Sequence, residues 1–173
     1  AIIVLPIEQG VGIGIALSLL HGIWSTTRAR VQVFERVHGT SIWWPSSPSL
    51  PGEREPGVIV AGFQAPLSFL NAYHFRRDIL NALQASPQKA RLIILEATGI
   101  VEIDFTAAQV LADLIRRCHA DDADFAIARL ESIRAQEAMV RFGINELLGP
   151  DRQFQSVEEA VRALGRQGSA SDK

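Results

Sequence analysis

The chain has 173 residues, of which 47% are hydrophobic and 21% are charged, and its formal net charge is −2. This length fits a single domain, and this apolar fraction excludes intrinsic disorder as the main state. The near-neutral charge argues against a dedicated nucleic-acid binder. The chain has a single cysteine, Cys118, which excludes an internal disulfide and a zinc site built from cysteines.

The chain opens with a strongly apolar stretch. Residues 10–24 carry no formal charge, yet this run is shorter than the roughly 20 residues that cross a bilayer. Two interpretations are open, a helix buried in the core of the domain or the final part of a transmembrane helix. Arg28 and Arg30 follow directly, as positive charges do on the cytoplasmic side of a membrane helix.

Three glycines in this stretch invite comparison with nucleotide-binding motifs. Gly10, Gly12 and Gly14 do not complete G-x-G-x-x-G, because position 15 is Ile. Small residues that let two helices approach closely are the simpler interpretation.

Four segments further along the chain have the pattern of strands. Residues 31–37 alternate in polarity, whereas residues 58–63, 92–95 and 125–130 are continuous apolar runs of strand length. Such runs are typical of parallel strands that are covered by helices on both faces.

The segment between the first two strands has the composition of a surface loop. Residues 45–56 hold four of the eight prolines, together with serines and charges. Trp43 and Trp44 stand at its start and fit either a packing anchor or an interface patch.

Four amphipathic helices alternate with these strands. Asn71 is the predicted N-cap of the first, Gly143 ends the third, and Ser156 caps the fourth in a capping box with Glu159. The apolar stripes are Phe75, Ile79, Leu80 and Leu83; Ala107, Val110, Leu111, Leu114, Ile115 and Cys118; Ala135, Ala138, Met139 and Phe142; and Val157, Ala160, Val161 and Leu164. Alternating strands and helices predict a mostly parallel sheet with right-handed crossovers.

The start of the second amphipathic helix is the candidate functional site. Asp104 or Thr106 can cap its free amides, and this structural role is the default interpretation. Ligands also bind where the carboxyl ends of strands meet helix N-termini, and anions do so especially well. Thr106 is the only hydroxyl in residues 102–107 and is therefore a candidate phosphoryl acceptor.

No catalytic or metal-binding arrangement emerges from the sequence. Glu96, Glu102 and Asp104 have no histidine, lysine or serine nucleophile near them in the chain. The four histidines are scattered without the spacing of metal ligands. An enzyme is therefore the class with the least support.

Two motifs resemble the STAS domain of SulP-type anion transporters. Residues 62–72, GFQAPLSFLNA, followed by Phe75, resemble the family segment G/A-P-L-x-F-x-N-A-x-x-F. Residues 101–108, VEIDFTAA, resemble its second signature, in which an apolar strand leads into I-D-S/x-T-G. Residues 36–40, RVHGT, are similar to the R-V-x-G-T that follows the membrane part, so the resemblance extends from the first residue to about position 165.

The resemblance implies an α/β STAS fold, with a central mostly parallel sheet of about four to five strands flanked by four to five α-helices. It also implies a division of the chain. Residues 1–26 would be the end of a transmembrane helix and a juxtamembrane linker, and residues 27–165 the STAS domain with 45–56 as its variable loop. Residues 166–173 are expected to be a disordered tail.

The function implied is regulatory. The domain would lie on the cytoplasmic side of the inner or plasma membrane and act by protein–protein contacts, without catalysis, cofactor or metal. Its expected partners are the membrane domain of the same transporter, a second copy through the parent protein and a regulatory protein, but no nucleic acid. A free-standing anti-sigma-factor antagonist and a small-molecule or nucleotide sensor are the alternatives.

The resemblance also implies which residues contact a ligand or partner. They are Asp104, Phe105, Thr106 and Ala107, at the head of the second amphipathic helix. In related antagonists a serine directly after the aspartate accepts phosphate, but Phe105 stands there in this chain. Ala107 replaces the glycine of the pattern, and Thr106 remains the candidate phosphoacceptor.

Overall fold

The structure is a computed structural model that describes residues 7–27, 29–49 and 51–165. The first six residues, Arg28, Leu50 in the predicted loop 45–56, and the predicted tail 166–173 lie outside the described residues. The elements are α1 (Ile7–Thr27), β1 (Val31–Arg36), β2 (Trp43–Pro45), β3 (Val58–Phe63), α2 (Ala72–Gln84), β4 (Leu92–Glu96), α3 (Phe105–Ala120), β5 (Asp124–Ala128), α4 (Ile133–Arg141), α5 (Ile144–Leu148), β6 (Gln153–Phe154) and α6 (Val157–Leu164).

One six-stranded sheet organises the domain, in the order β2-β1-β3-β4-β5-β6. The strands β3, β4, β5 and β6 are parallel, whereas β1 runs antiparallel to both β2 and β3. The predicted α/β class and mostly parallel sheet are confirmed. The sheet has more strands than the sequence pattern indicated, because β2 and β6 have only three and two residues, too few for a periodicity.

The core has two layers, one on each face of the sheet. Side chains of α2, α3, α4 and α5 form the larger layer, in which the rings of Phe63 and Phe75 meet edge to face at 5.2 Å. The helix α6 packs on the other face against β4, β5 and β6. The three central strands are buried on both faces, as their continuous apolar runs predicted.

The only cysteine belongs to the larger layer. Cys118 is buried, as its place in the apolar stripe predicted. Burial raises the pKa of its thiol to about 11, so the side chain is a small apolar core residue at neutral pH.

The helix caps in the structure differ in detail from the predicted ones. Ser156 Oγ accepts the Glu159 amide at 3.1 Å, but the Glu159 carboxylate accepts the amide of Gln155 instead of that of Ser156. Asn71 occupies the N-cap position of α2 without a side-chain cap bond. Its amide group instead accepts the Ser68 amide at 2.9 Å and donates to the Pro66 carbonyl, so it shapes the preceding loop.

The helix α1 stands apart from this core. The length and composition of its segment Ile7–Trp24 are those of a helix that could cross a membrane, and none of this segment is buried. The interpretation as a core helix is therefore wrong. Beyond α1, Ala29 packs on the larger core layer, and Arg30 pairs with Asp78 of α2 at 3.4 Å.

The loop after β2 is pinned to β1 by a buried carboxylate. Glu35 accepts the Arg54 guanidinium at 2.6 Å and the Gly52 amide at 3.0 Å. Backbone hydrogen bonds between Arg36 and Glu53 hold the returning chain beside β1. The described residues Gly52, Glu53 and Arg54 of the predicted surface loop are thus held by hydrogen bonds to β1 that span 17 to 19 positions of the chain.

The two neighbouring tryptophans have different environments. Trp43 Nε1 donates to Glu158 of α6 at 3.1 Å, and its ring packs on the smaller core layer. Trp44 is 58% exposed. The first is a packing anchor and the second is available to the surroundings, because successive side chains of a strand point to opposite faces.

Candidate functional site

The carboxyl ends of the central strands meet at one edge of the sheet. The strands β3, β4 and β5 are parallel and in register, so the segments that follow them lie side by side. These segments are residues 64–71, 97–104 and 129–132. We name this side of the sheet the carboxyl edge.

Asp104 connects two of these segments. Its Oδ1 accepts the Ala107 amide at 2.8 Å and so caps α3, while its Oδ2 accepts the Phe69 amide at 2.7 Å. The predicted capping role is therefore correct. The sequence pattern did not indicate that the other oxygen would fix the loop after β3, because that bond spans 35 positions.

Backbone hydrogen bonds reinforce this connection. The Leu67 amide donates to the Glu102 carbonyl at 2.9 Å, and the Asp104 amide donates to the Leu67 carbonyl at 3.2 Å. Leu67 and Ile103 form an isolated parallel bridge, and both side chains are buried. The loops at the carboxyl edge are thereby held as one unit.

The three residues after Asp104 have different surroundings. The Phe105 side chain is exposed and meets the ring of Phe142 edge to face at 5.7 Å. Thr106 is half-buried, and Ala107 is fully buried. Of the candidate residues, Phe105 and Thr106 therefore have side chains that a partner can reach, whereas Asp104 and Ala107 belong to the cap.

Exposed apolar side chains lie on the loops and helix starts of the carboxyl edge. We name Phe69, Val101, Phe105 and Ile133 the apolar rim; they are 63%, 50%, 62% and 71% exposed. Phe69 is tied to Asp104 through its amide, and the Val101 carbonyl accepts the Ser132 hydroxyl at 2.6 Å, directly before Ile133. The rim therefore belongs to connected loops of the carboxyl edge.

Ionised side chains near the rim pair with one another. Arg134 lies 3.9 Å from Glu102, and Arg129 lies 3.1 Å from Glu131. Arg129 also lies 3.8 Å from Glu96, whose buried carboxylate accepts the Thr98 hydroxyl. These arginines are balanced by nearby carboxylates.

The arrangement suits contact with another surface better than phosphate binding. The Asp104 carboxylate already occupies the N-terminus of α3, where an anion would otherwise accept the free amides. Among the described residues, no group of three or more histidine, cysteine, aspartate or glutamate side chains can hold a metal ion. What the edge does offer is exposed aromatic and aliphatic surface on a fixed backbone.

A separate cleft opens at the opposite edge of the sheet, where β3 begins. It has a volume of about 310 Å³, and Phe34, Trp43, Pro56, Ala85 and Pro87 are among its lining residues. This is near the lower limit of small-molecule pockets, about 300 Å³. Because it opens at the start of β3, this cleft does not include residues 104–107, where the sequence places a ligand.

Sequence reasoning missed three of the four rim residues. Phe69 lies inside the first motif and Val101 opens the second, but neither fitted a helical or strand stripe. Ile133 opens α4 outside its apolar stripe. An exposed apolar residue next to a cap was the available signal, although single residues of this kind are common on surfaces.

A comparison with family models gives one match to this chain, the STAS domain, over residues 50–160. Among curated proteins, "Probable sulfate transporter Rv1739c" of Mycobacterium tuberculosis is 28% identical over 166 residues, covering 96% of this chain and 30% of that protein. "Solute carrier family 26 member 10" of Mus musculus is 24% identical over 167 residues, covering 93% of this chain and 25% of that protein.

Solved structures agree with the fold. The murine Solute Carrier 26 family member A9 anion transporter in its inward-facing state matches with a TM-score of 0.79 at 21% identity. The match covers 90% of this chain and 25% of that one. This chain thus spans less than a third of the length of the curated relatives described above.

Proposed function

Because this chain belongs to the STAS domain family, we propose that it is the regulatory and interaction domain of a SulP-type anion transporter, on the cytoplasmic side of the inner or plasma membrane. The proposal divides the chain into the end of a transmembrane helix, residues 1–26, and the STAS domain proper, residues 27–165. Transport itself would take place in the membrane part of the parent protein.

The main support for the proposal is the exposure of the apolar helix α1. Its apolar side chains face outward all around, which is costly in water but favourable in a bilayer. The curated relatives that extend over this helix as well as the sheet include a probable sulfate transporter. The same feature argues against the alternative of a free-standing anti-sigma-factor antagonist.

Regulation would act through contacts at the carboxyl edge. Phe105 has no hydroxyl, and its exposed ring is suited to a constant apolar contact. Thr106, half-buried one position further, is the hydroxyl that a kinase could modify. A phosphate there would stand at the N-terminus of α3 beside the Asp104 carboxylate, so it would repel that cap and loosen the loop.

The test compares three forms of the parent transporter in cells. One is intact, one ends before Val31, and one carries the conservative exchange Thr106→Val. We expect the truncated form to lose anion uptake or membrane accumulation. Unchanged uptake and accumulation after truncation would overturn the regulatory role.

The Thr106→Val form isolates the modification. This exchange removes the hydroxyl and keeps the branched shape, so the fold should remain intact. If Thr106 is a phosphoacceptor, phosphate incorporation into this domain falls in the variant. Equal incorporation in both forms would exclude Thr106 from this role.

A further inference from the structure

We infer that the cleft where β3 begins is a binding site for a small, uncharged, planar molecule with a bicyclic aromatic ring system. We name this site the β3 cleft; its lining residues come from β1, β2, β3, the loop before β3 and the end of α2. The inference goes beyond the proposed function, because binding at this cleft requires neither the membrane part of the parent protein nor transport.

The first step is the reason why the cleft exists. The last pair between β1 and β3 is Phe34 with Val60, although β3 begins earlier, at Val58. Beyond Phe34, β1 pairs with Glu53 instead, and residues 54–57 make a detour before β3 begins. The two strands therefore part within the sheet, and the β3 cleft opens where they part.

The second step is the apolar surface that the core leaves free at this point. Ile59 is only 7% exposed, yet it belongs to neither core layer and lines the cleft instead. Val33 of β1 is a second aliphatic residue in the lining. The end of α2 contributes Ala82 and Ala85, whose short side chains leave the space open. A bound apolar molecule would therefore gain dispersion contacts with side chains that the fold leaves incompletely packed.

The third step is the shape and size of the space. Four of the lining residues, Phe34, Trp43, Pro56 and Pro87, have ring side chains. Aromatic rings pair favourably with other rings in offset-stacked or edge-to-face arrangements, so this lining favours a planar molecule. The volume of about 310 Å³ is roughly twice that of an apolar cavity of about 150 Å³ that binds one benzene. The cleft therefore has room for a bicyclic molecule.

The fourth step is the charge of the lining. Its two ionised side chains are Arg54 and Glu55, and both are already paired. Arg54 Nε donates to Glu35 at 2.6 Å, and the Glu55 carboxylate lies 3.7 Å from the Arg36 guanidinium. A charged ligand would have to compete with these pairs, whereas an uncharged ligand leaves both intact. The amide of Gln88 is an uncharged hydrogen-bonding group in the lining, so it suits a polar atom on an otherwise apolar ring system.

The nearest competing occupant is the end of the chain itself. The Arg91 guanidinium donates to the Gly165 carbonyl, and an ideal Cβ at Gly57, in the lining, would lie 3.3 Å from Arg91 Cγ. Residues 166–173, RQGSASDK, therefore follow a residue that is held close to the cleft. Their largest apolar side chain is that of Ala170, which does not match a space lined by aromatic and aliphatic groups. The composition of this segment favours a separate molecule as the occupant.

The experiment uses indole, an uncharged bicyclic molecule, as the probe and the whole 173-residue chain in detergent micelles as the protein. Two-dimensional NMR follows the backbone amides while indole is added. We expect saturable shifts of the amides of Gly57, Ile59 and Gln88, which line the cleft, and no such shifts in residues 104–107. Shifts that do not saturate, or that are centred on residues 104–107, would overturn the inference.

Two variants of α2 distinguish the cleft from the rest of the surface. Ala82→Phe places a ring in the space, whereas Asn81→Phe places the same ring at an exposed neighbouring position outside the lining. Indole also dissolves in the micelles, but it does so equally in both samples, and this partition cancels in the comparison. We expect Ala82→Phe to weaken indole binding at least about tenfold and Asn81→Phe to leave it unchanged. Equal affinities in the two variants would contradict the inference. Circular dichroism checks that each variant is folded, and Ala82→Leu replaces Ala82→Phe if the larger side chain prevents folding.

Charged relatives of the probe test the ligand class. Indole-3-acetate and tryptamine have the same ring system, with a negative and a positive charge respectively. We expect each to bind at least about tenfold more weakly than indole, because Arg54 and Glu55 are already paired. Equal or tighter binding of either one would show that the site does not select an uncharged ligand.

A chain that ends at Gly165 tests the competing occupant. We expect it to bind indole with the same affinity as the whole chain, because residues 166–173 do not fill the cleft. Binding that is detected only after these residues are removed would assign the β3 cleft to the end of the chain and would overturn the inference.

Discussion

At the scale of single residues, Asp104 contributes both to the helix cap and to the geometry of the interaction edge. Its two carboxylate oxygens accept amides from α3 and from the loop after β3. Hydrogen bonds to a charged group are stronger than those between neutral groups, and a lost cap leaves an amide without its partner. This side chain therefore couples the stability of the fold to the position of Phe69.

We expect Asp104→Ala to lower the free energy of unfolding by about 2–3 kcal/mol, because both bonds are lost. Ser156→Ala is the matched control, since it removes a single cap bond and should cost about 1 kcal/mol. Urea denaturation of both variants measures the difference. Equal losses would mean that the bond to the Phe69 amide contributes nothing.

Glu35 gives the domain a predictable response to acid. Burial raises the pKa of this carboxyl, but hydrogen bonds from Arg54, the Gly52 amide and Ser46 outweigh burial and lower the pKa below its ordinary value of 4.5. A carboxyl with a lowered pKa stabilises the fold fully above its unfolded pKa, and this stabilisation disappears as the pH falls through the folded pKa.

We therefore expect the stability difference between the wild type and Glu35→Gln to be constant near neutral pH and to shrink below pH 4.5. Urea denaturation at a series of pH values measures it. Arg54→Met removes the main charged partner and should weaken the pH dependence. A difference that stays constant down to strongly acidic pH would contradict this account.

At the scale of elements, the pairing of β1 with β3 depends on a glycine. An ideal Cβ at Gly62 would lie 2.2 Å from a ring atom of Phe34, so the Phe34 ring covers the backbone of β3 at this position. Phe34 in turn belongs to the smaller core layer. A side chain at position 62 would push the ring out of that layer.

Gly62→Ala should cost about 1–3 kcal/mol of stability, the usual range for an overpacked core. Phe34→Leu leaves more room, so the double variant should lose less than the sum of the two single losses. A double-mutant cycle by urea denaturation measures this coupling. Additive losses would show that the ring and the glycine do not depend on each other.

At the scale of the whole molecule, the terminal helices contribute very differently. None of the window Ile7–Trp24 in α1 is buried, whereas α6 buries Val157, Ala160, Val161 and Leu164 against the sheet. Burial of a single aliphatic side chain contributes about 1.5–3 kcal/mol, and a domain has a total stability of only about 5–15 kcal/mol. The loss of α6 is therefore comparable to the stability of the domain.

We expect a chain that starts at Ala29 to keep its unfolding free energy within about 0.5 kcal/mol and to become more soluble. A chain that ends before Gln155 should lose cooperative folding. Thermal unfolding followed by circular dichroism distinguishes the two forms. A folded chain without α6, or an unfolded chain without α1, would contradict this division.

The sequence by itself determined the elements whose signals are local. The continuous apolar runs predicted β3, β4 and β5, the candidate caps Asp104 and Thr106 predicted the region where α3 begins, and the Ser156 capping box predicted the start of α6. Such signals depend on periodicity and on hydrogen bonds between residues three or four positions apart, which a single chain segment contains completely. The resemblance to the STAS family added the fold and the order of the elements.

Only the tertiary structure decided how distant segments meet. The antiparallel direction of β1, the short edge strands and the bond from Asp104 to the Phe69 amide all join residues that are far apart in the chain. Periodicity likewise did not distinguish a buried α1 from an exposed one, because an apolar helix has the same sequence in a core and in a membrane. In the tertiary structure the other helices fill the core, and α1 therefore lies outside it.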